Sequence, residues 1–332
     1  MNKRNHAFDF LKVFLVYVVV VHHSGAMRHI LHRGYMSVDC FFMISGYLIA
    51  RTQDAHPSMN TWAYLKRRLS SLYPAYLFAY ICLAAVFIPA GRFIYDRSYG
   101  ALLEIFLLQD VCIVSNSINY GMWYLSVLMT AGTLIYLLLR KLPRKASILL
   151  APAAAVLLYI WHKTMGGIEQ WSMHGLLYPP FWRGTAGILT GVFLYYFEGT
   201  RLHDRLTPAA KWIEAPAFIA MVALMCTPGI GIDYYVLIAI VLLMFSLTFP
   251  DPLLSRLGKT KAVSFLIRHE YAVYLHHVLL IFLCEQIMKI CPLPTAAFVL
   301  LILISLTLSA IVSDYVLDRI MGIFRKNKKL LS

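Results

Sequence analysis

The sequence predicts an all-α polytopic transmembrane bundle of about ten spans with both termini in the cytoplasm. Three observations carry that expectation. The chain is 60% hydrophobic over 332 residues, with a mean hydropathy of +0.68, whereas soluble domains sit near half apolar. The excess is spread along the whole length in runs close to the roughly 20 residues that a bilayer requires. The Lys and Arg fall in short clusters between those runs, which is how membrane orientation is written. That distribution argues against nucleic acid as the partner of the +14 charge.

The ten runs cover approximately 8–26, 35–50, 72–90, 120–139, 146–161, 179–197, 212–228, 233–249, 270–290 and 295–317. The segment 100–114, GALLEIFLLQDVCIV, is too short and too charged to span and reads as a re-entrant or interfacial helix. With the N-terminus inside, 21 of the 30 Lys and Arg lie in inside segments and six outside; Lys12, Arg183 and Arg319 lie in or at spans. The bias supports an even number of spans. No small-residue cleavage site follows the first run, so it is expected to remain as a span. No repeat, linker or soluble segment stands out, and residues 1–332 read as one membrane domain. Six cysteines without CxxC spacing fit small buried hydrophobes better than a disulfide or metal framework.

The first run, FDFLKVFLVYVVVVHHS, carries Asp9, Lys12, His22 and His23. A helix advances about 100° and about 1.5 Å per residue, so Lys12 and His23 lie roughly 20° apart around it and roughly 16 Å apart along it. His22 points about 80° away from Lys12. Ionisable groups in a span are costly unless they face protein or water, which makes this pair a functional candidate. Lys12 is expected near the cytoplasmic surface and His23 near the external one.

Asp39 enters the second run from the His23 side. A His23–Asp39 contact would orient the imidazole and stabilise its charged form. Equally open is a loop-folding role for Asp39, with Arg33 as its partner. Lys66, Arg67 and Arg68 form a basic cluster ahead of Tyr73 and Pro74, on the inside loop before the third run. Such a cluster could hold a phosphorylated cytoplasmic ligand, although positive-inside anchoring explains its charge as well. Arg183 either binds an anionic acceptor or snorkels to the interface. Trp123 either packs an acyl or sugar group or belongs to an aromatic belt. His276 and His277 either line a cavity or are satisfied core histidines. His29, His32, His56, His162, His174 and His203 read as loop residues. No HxxxxD, DHHC, HExxH or Walker motif occurs, and no metal ligand set is expected.

Six segments in order resemble the bacterial acyltransferase 3 family of integral membrane acyltransferases. FDFLKVFLVYVVVVHHS carries a basic residue, ten residues and then His, here Lys12 and His23; SVDCFFMISGYLIA (37–50) carries Asp39, Phe41, Phe42, Ser45 and Gly46. RRLSSLYPAY (67–76), MWYLSVLMTAGTLIYLL (122–138), RGTAGILTGVFL (183–194) and HEYAVYLHHVLL (269–280) complete the set. The chain departs from the pattern with Lys12 where Arg is commoner, Ser71 where a second Arg is frequent, and Leu128 where Glu is frequent.

The resemblance implies catalysis by His23 with Lys12 and Asp39, donor binding by Lys66, Arg67 and Arg68, and a cavity offering Ser45, Trp123, Arg183 and His277. It implies acetyl-CoA or another acyl-CoA as co-substrate with no resident cofactor. The acceptor would be a carbohydrate or lipid-linked glycan hydroxyl, and the setting the lipid of a bacterial cytoplasmic membrane. Composition alone suits a transporter or flippase of a lipid-linked sugar or polar solute equally well. An inactive relative serving as an assembly partner is a third reading, motivated by Ser71 and Leu128.

Overall fold

The computed structural model describes residues 4–92, 98–109, 111, 118–168 and 178–330. It is all-helical, with no strand among the described residues. In chain order the helices are α1 (His6–His23), α2 (Ser37–Ala55), α3 (Thr61–Phe87), α4 (Ser98–Ile105), α5 (Trp123–Lys141) and α6 (Arg144–Thr164). They continue as α7 (Pro179–Phe197), α8 (Arg201–Met225), α9 (Ile232–Ser246), α10 (Leu253–Gly258), α11 (Lys261–Ile290) and α12 (Thr295–Leu330). Each of the ten expected apolar runs has a helix at its place. Among the described residues, seven helical segments are long and apolar enough to cross a membrane. The runs at α2, α7 and α9 fall outside that group, and α9 is a shorter apolar helix.

Burial separates the helices into a centre and a periphery. Nearly every side chain of α2 from Ser37 to Ala50 is buried, as is most of α7. By contrast α6, α8 and α12 expose large apolar residues such as Leu149, Leu157, Ile219 and Ile304, the pattern of helices that face lipid. The central pair is in backbone contact. A Cβ on Gly46 would fall on the Ile188 carbonyl oxygen, and one on Gly191 on the Met43 carbonyl oxygen. Small residues at these two points let the α2 and α7 backbones approach as GxxxG-type contacts do.

Helix starts follow ordinary capping chemistry. Asn5 accepts from Ala7 and Phe8 amides at the start of α1, and Asn60 from the Ala63 amide at the start of α3. This second cap begins α3 eleven residues before the expected run, so Lys66, Arg67 and Arg68 are helical and do not lie on a loop. Pro74 stands inside the same helix.

The short α4 occupies part of the segment 100–114; residues 110 and 112–114 of that segment lie outside the described residues. It is docked by α3 tyrosines one turn apart. Tyr73, Tyr76 and Tyr80 hydroxyls donate to the carbonyls of Ile105, Glu104 and Ala101. His162 and His203, expected on loops, are buried within α6 and α8, because the helices extend past the apolar runs. His174 lies outside the described residues. Cys40, Cys82, Cys226, Cys284 and Cys291 are free thiols.

Gly46→Ala and Gly191→Ala should each lower the thermal midpoint of the purified protein in detergent, by the equivalent of about 1–3 kcal/mol of overpacking. Gly132→Ala is the control. Its added methyl would meet the flexible end of Ile49 at 3.2 Å and should be nearly neutral.

Candidate active site

Two polar centres lie at opposite ends of α1, and α11 runs beside both. At the Lys12 end is a cavity of about 420 Å³. Lys12, Arg67 and Arg68 supply its cations, and Glu270 is its carboxylate. Ser45 and Thr52 on α2 and Tyr64 and Ser71 on α3 add polar groups, while Val16, Leu125 and Leu128 line it with apolar surface. Lys12 Nζ lies 3.8 Å from Glu270 Oε2, and the Arg68 guanidinium lies over the Tyr64 ring at 5.9 Å. Lys66 belongs to the same cluster in sequence but is exposed and does not line the cavity. Arg67, also exposed, and the half-buried Arg68 reach the cavity because successive residues point about 100° apart.

Tyr124, Tyr271 and Tyr274 add their rings to the lining. Tyr124 is held by Ser45, with its hydroxyl 3.0 Å from Ser45 Oγ, and it meets Tyr274 edge-on at 5.7 Å. The Tyr274 hydroxyl donates to the Gly121 carbonyl. On α1 the lining reaches Val16, seven residues before His23 and so about 10 Å short of it.

His23 is found in the second centre. Its Nδ1 lies 2.9 Å from Nε2 of His277, and the rings stack at 5.0 Å with planes 19° apart. His277 Nδ1 lies 2.5 Å from the Tyr274 carbonyl oxygen. Tyr120 meets His23 edge-on at 5.4 Å. His22 turns aside, as the helical angle requires, and rests against Tyr35 at 5.4 Å. His276, next to His277 in sequence, faces away and meets Ser313 Oγ at 2.9 Å.

The expected His23–Asp39 contact is not formed. Asp39 is fully buried and accepts from both Nε (3.0 Å) and Nη2 (2.5 Å) of Arg183, itself 3% exposed. The bidentate fork satisfies the carboxylate and compensates two charges that could not otherwise leave water. Arg183 therefore neither snorkels nor stands open to an anionic acceptor. Its guanidinium is enclosed between Tyr35 at 5.5 Å and Trp123 at 5.7 Å. Trp123 is buried against Phe42 and does not line the described cavity. Nor is Arg33 the partner of Asp39. It donates to Asp233 at 2.7 Å and to the carbonyls of Thr227 and Gly229, tying the α1–α2 connection to the α8–α9 loop.

Of the expected site residues, Lys12, Arg67, Arg68 and Ser45 thus share the cavity, and His23 and His277 form the pair beyond it. All three departures from the family pattern, Lys12, Ser71 and Leu128, line the cavity. Sequence reasoning missed Glu270, Tyr124, Tyr271 and Tyr274. A carboxylate within HEYAVYLHHVLL, opposite in sign to Lys12, was the available signal for Glu270. The tyrosines gave none, because a Tyr in an apolar helix reads equally as core. Among the described residues no cluster of His, Cys, Asp or Glu could hold a metal ion.

A family model described as an acyltransferase domain, the acyltransferase 3 domain, matches residues 5–314. Among curated proteins, the O-acetyltransferase OatA of Staphylococcus aureus is similar, with the same match in strains NCTC 8325 / PS 47, COL and MRSA252. Each is 33% identical over 122 residues, covering 34% of this chain and 19% of the relative. The match therefore spans about a fifth of the length of those relatives. No solved structure matches the chain.

Removing one member of the buried ion pair should cost more than removing both. Arg183→Leu leaves Asp39 unpaired and should destabilise the protein by about 3–5 kcal/mol. Asp39→Leu combined with Arg183→Leu should recover a substantial part of that loss, read as thermal midpoints in detergent.

Proposed function

This chain belongs to the acyltransferase 3 family, and we propose that it is an O-acyltransferase that moves an acetyl group from cytoplasmic acetyl-CoA to a hydroxyl of a cell-envelope polysaccharide or its lipid-linked precursor. The observation that carries the proposal is the pairing of a cation-lined cavity at one end of α1 with an imidazole pair at the other. A phosphorylated thioester and a carbohydrate hydroxyl arriving from opposite membrane faces need that arrangement. The bias of Lys and Arg supports placing the Lys12 end and both termini in the cytoplasm of a bacterium and the His23 end at the outer face. The O-acetyltransferase activity named for the Staphylococcus relatives supports acetyl as the group transferred.

In this reading the phosphates of the donor meet Arg67 and Arg68, which present planar forks suited to phosphate oxygens. The acyl-bearing arm passes Lys12 and Glu270 toward Tyr124 and Tyr274. Transfer to an acceptor at His23 requires a passage past those two rings. A sugar hydroxyl is a weak nucleophile at neutral pH, and a neutral imidazole removes its proton as the oxygen attacks the thioester carbonyl. The C–O bond forms, the C–S bond breaks, the proton passes to His23, and the products are an ester and the free thiol after proton uptake by sulfur. Asp39, committed to Arg183, contributes to the shape of the site and has no contact with the base. Family membership favours this chemistry over the transport of a lipid-linked sugar.

His23→Ala should abolish O-acetylation of the envelope polysaccharide, measured by mass spectrometry of the glycan, at unchanged protein abundance in the membrane. Full retention of acetylation would remove His23 from the chemistry. Lys12→Arg should stay active and Lys12→Ala should not, since the former keeps a cation opposite Glu270. Equal activity of the two would dismiss a role for that charge. Turnover of acetyl-CoA by the purified protein separates transferase from transporter.

A further inference from the structure

A hydrogen bond between two imidazole nitrogens needs one N–H and one lone pair. In the His23–His277 pair the assignment is decided at the far side of His277. Its Nδ1 lies 2.5 Å from the Tyr274 carbonyl oxygen, which can only accept. That carbonyl has a lone pair to spare beyond the one used by the helical amide four residues on. Nδ1 of His277 therefore carries the hydrogen, and in the neutral ring its Nε2 carries the lone pair. His23 Nδ1, at 2.9 Å, must then be the donor. This leaves the lone pair of His23 on Nε2, an atom that no other described residue engages by a hydrogen bond.

We infer that His277 is a positioning residue that holds His23 as its Nδ1–H tautomer, so that Nε2 is the atom that takes the proton of the acceptor hydroxyl. The inference rests on the acyltransferase reading of His23 and goes beyond it in naming the atom and its support. The chain of contacts is Tyr274 carbonyl, His277 and His23, and it does without the carboxylate that orients the base in a Ser-His-Asp arrangement. When Nε2 of His23 gains a proton, its Nδ1–H bond to His277 persists, so the same contact serves both protonation states of the base. The other titratable groups in ring contact with the pair are His22, 5.7 Å from His23, Tyr120, 5.4 Å from His23, and Tyr274, 5.6 Å from His277. Tyr274 also lines the cation-lined cavity. Its backbone thus holds His277 while its ring lines the cavity.

The test compares His277→Gln with His277→Leu in the full-length protein, assayed for acetyl-CoA turnover. The Gln side-chain oxygen can replace the Nε2 lone pair, whereas Leu fills similar space and accepts nothing. Turnover by His277→Gln should stay within about threefold of the unsubstituted protein, and His277→Leu should fall by at least about tenfold, in the range set by losing a correctly presented base. The KM for acetyl-CoA should change little in either. Equal activity of the two variants would overturn the inference, because a residue that merely packs would tolerate Leu as well as Gln.

A second measurement does not depend on turnover. Nitrogen NMR of histidine-labelled protein, with His23 assigned by its loss in His23→Ala, should show His23 protonated at Nδ1. Protonation at Nε2 instead would overturn the inference even if both His277 variants failed to fold. The parent reading fails separately, if His23→Ala turns over acetyl-CoA and acetylates glycan as the unsubstituted protein does.

Discussion

The ion pair between Asp39 and Arg183 is the constraint on which the rest of this bundle depends. Both groups sit in the most buried pair of helices, where an unpartnered charge would cost several kcal/mol and each compensates the other through two hydrogen bonds. The fork sets the relative position of α2 and α7, and Gly46 and Gly191, about two turns further along, let the two backbones meet. Around that axis three further pairs follow the same rule. Lys12 faces Glu270, Arg33 is held by Asp233, and His269 meets Asp314 at 2.6 Å. Charged groups survive in such a setting by pairing across helices, and the pairs in turn record which helices are neighbours.

The same rule shapes the candidate site. With Asp39 taken up by Arg183, the imidazole at the end of α1 finds its partner on α11. That helix supplies Glu270 opposite Lys12 and, seven residues further on, His277 opposite His23. The two helices are not matched residue for residue, since seven residues of helix rise about 10 Å and eleven about 16 Å. The two contacts hold α1 and α11 side by side along one direction. They place the cation-lined cavity and the His23–His277 pair along one side of α1, with Tyr274 lining the first and meeting His277 in the second.

Much of this was readable in the linear chain because membrane helices are written locally. A span is a contiguous apolar run, so all ten helices stand where hydropathy placed them. The register of Lys12 and His23 follows from the angle of a single helix, and it correctly turned His22 away. The start of α3 was misplaced because Asn60 begins the helix well before its apolar part, which carried Lys66, Arg67 and Arg68 from a loop into a helix. His162 and His203 were misread for the same reason, since polar helical ends look like loops to a hydropathy argument.

Pairing was the part that local reasoning could not reach. Asp39 had two candidate partners near it in sequence, His23 and Arg33, and its actual partner is 144 residues away. Glu270 and Tyr274 acquire meaning only when α11 lies against α1, and His277 only when its Nε2 comes within 2.9 Å of His23. Hydropathy, charge bias and helical angle are properties of one segment at a time, so the sequence by itself determined the class of fold, the positions of the helices and the face of α1 that carries Lys12 and His23. Which charge neutralises which, and which side chain meets His23, depends on distances between segments, and only the tertiary structure decided them.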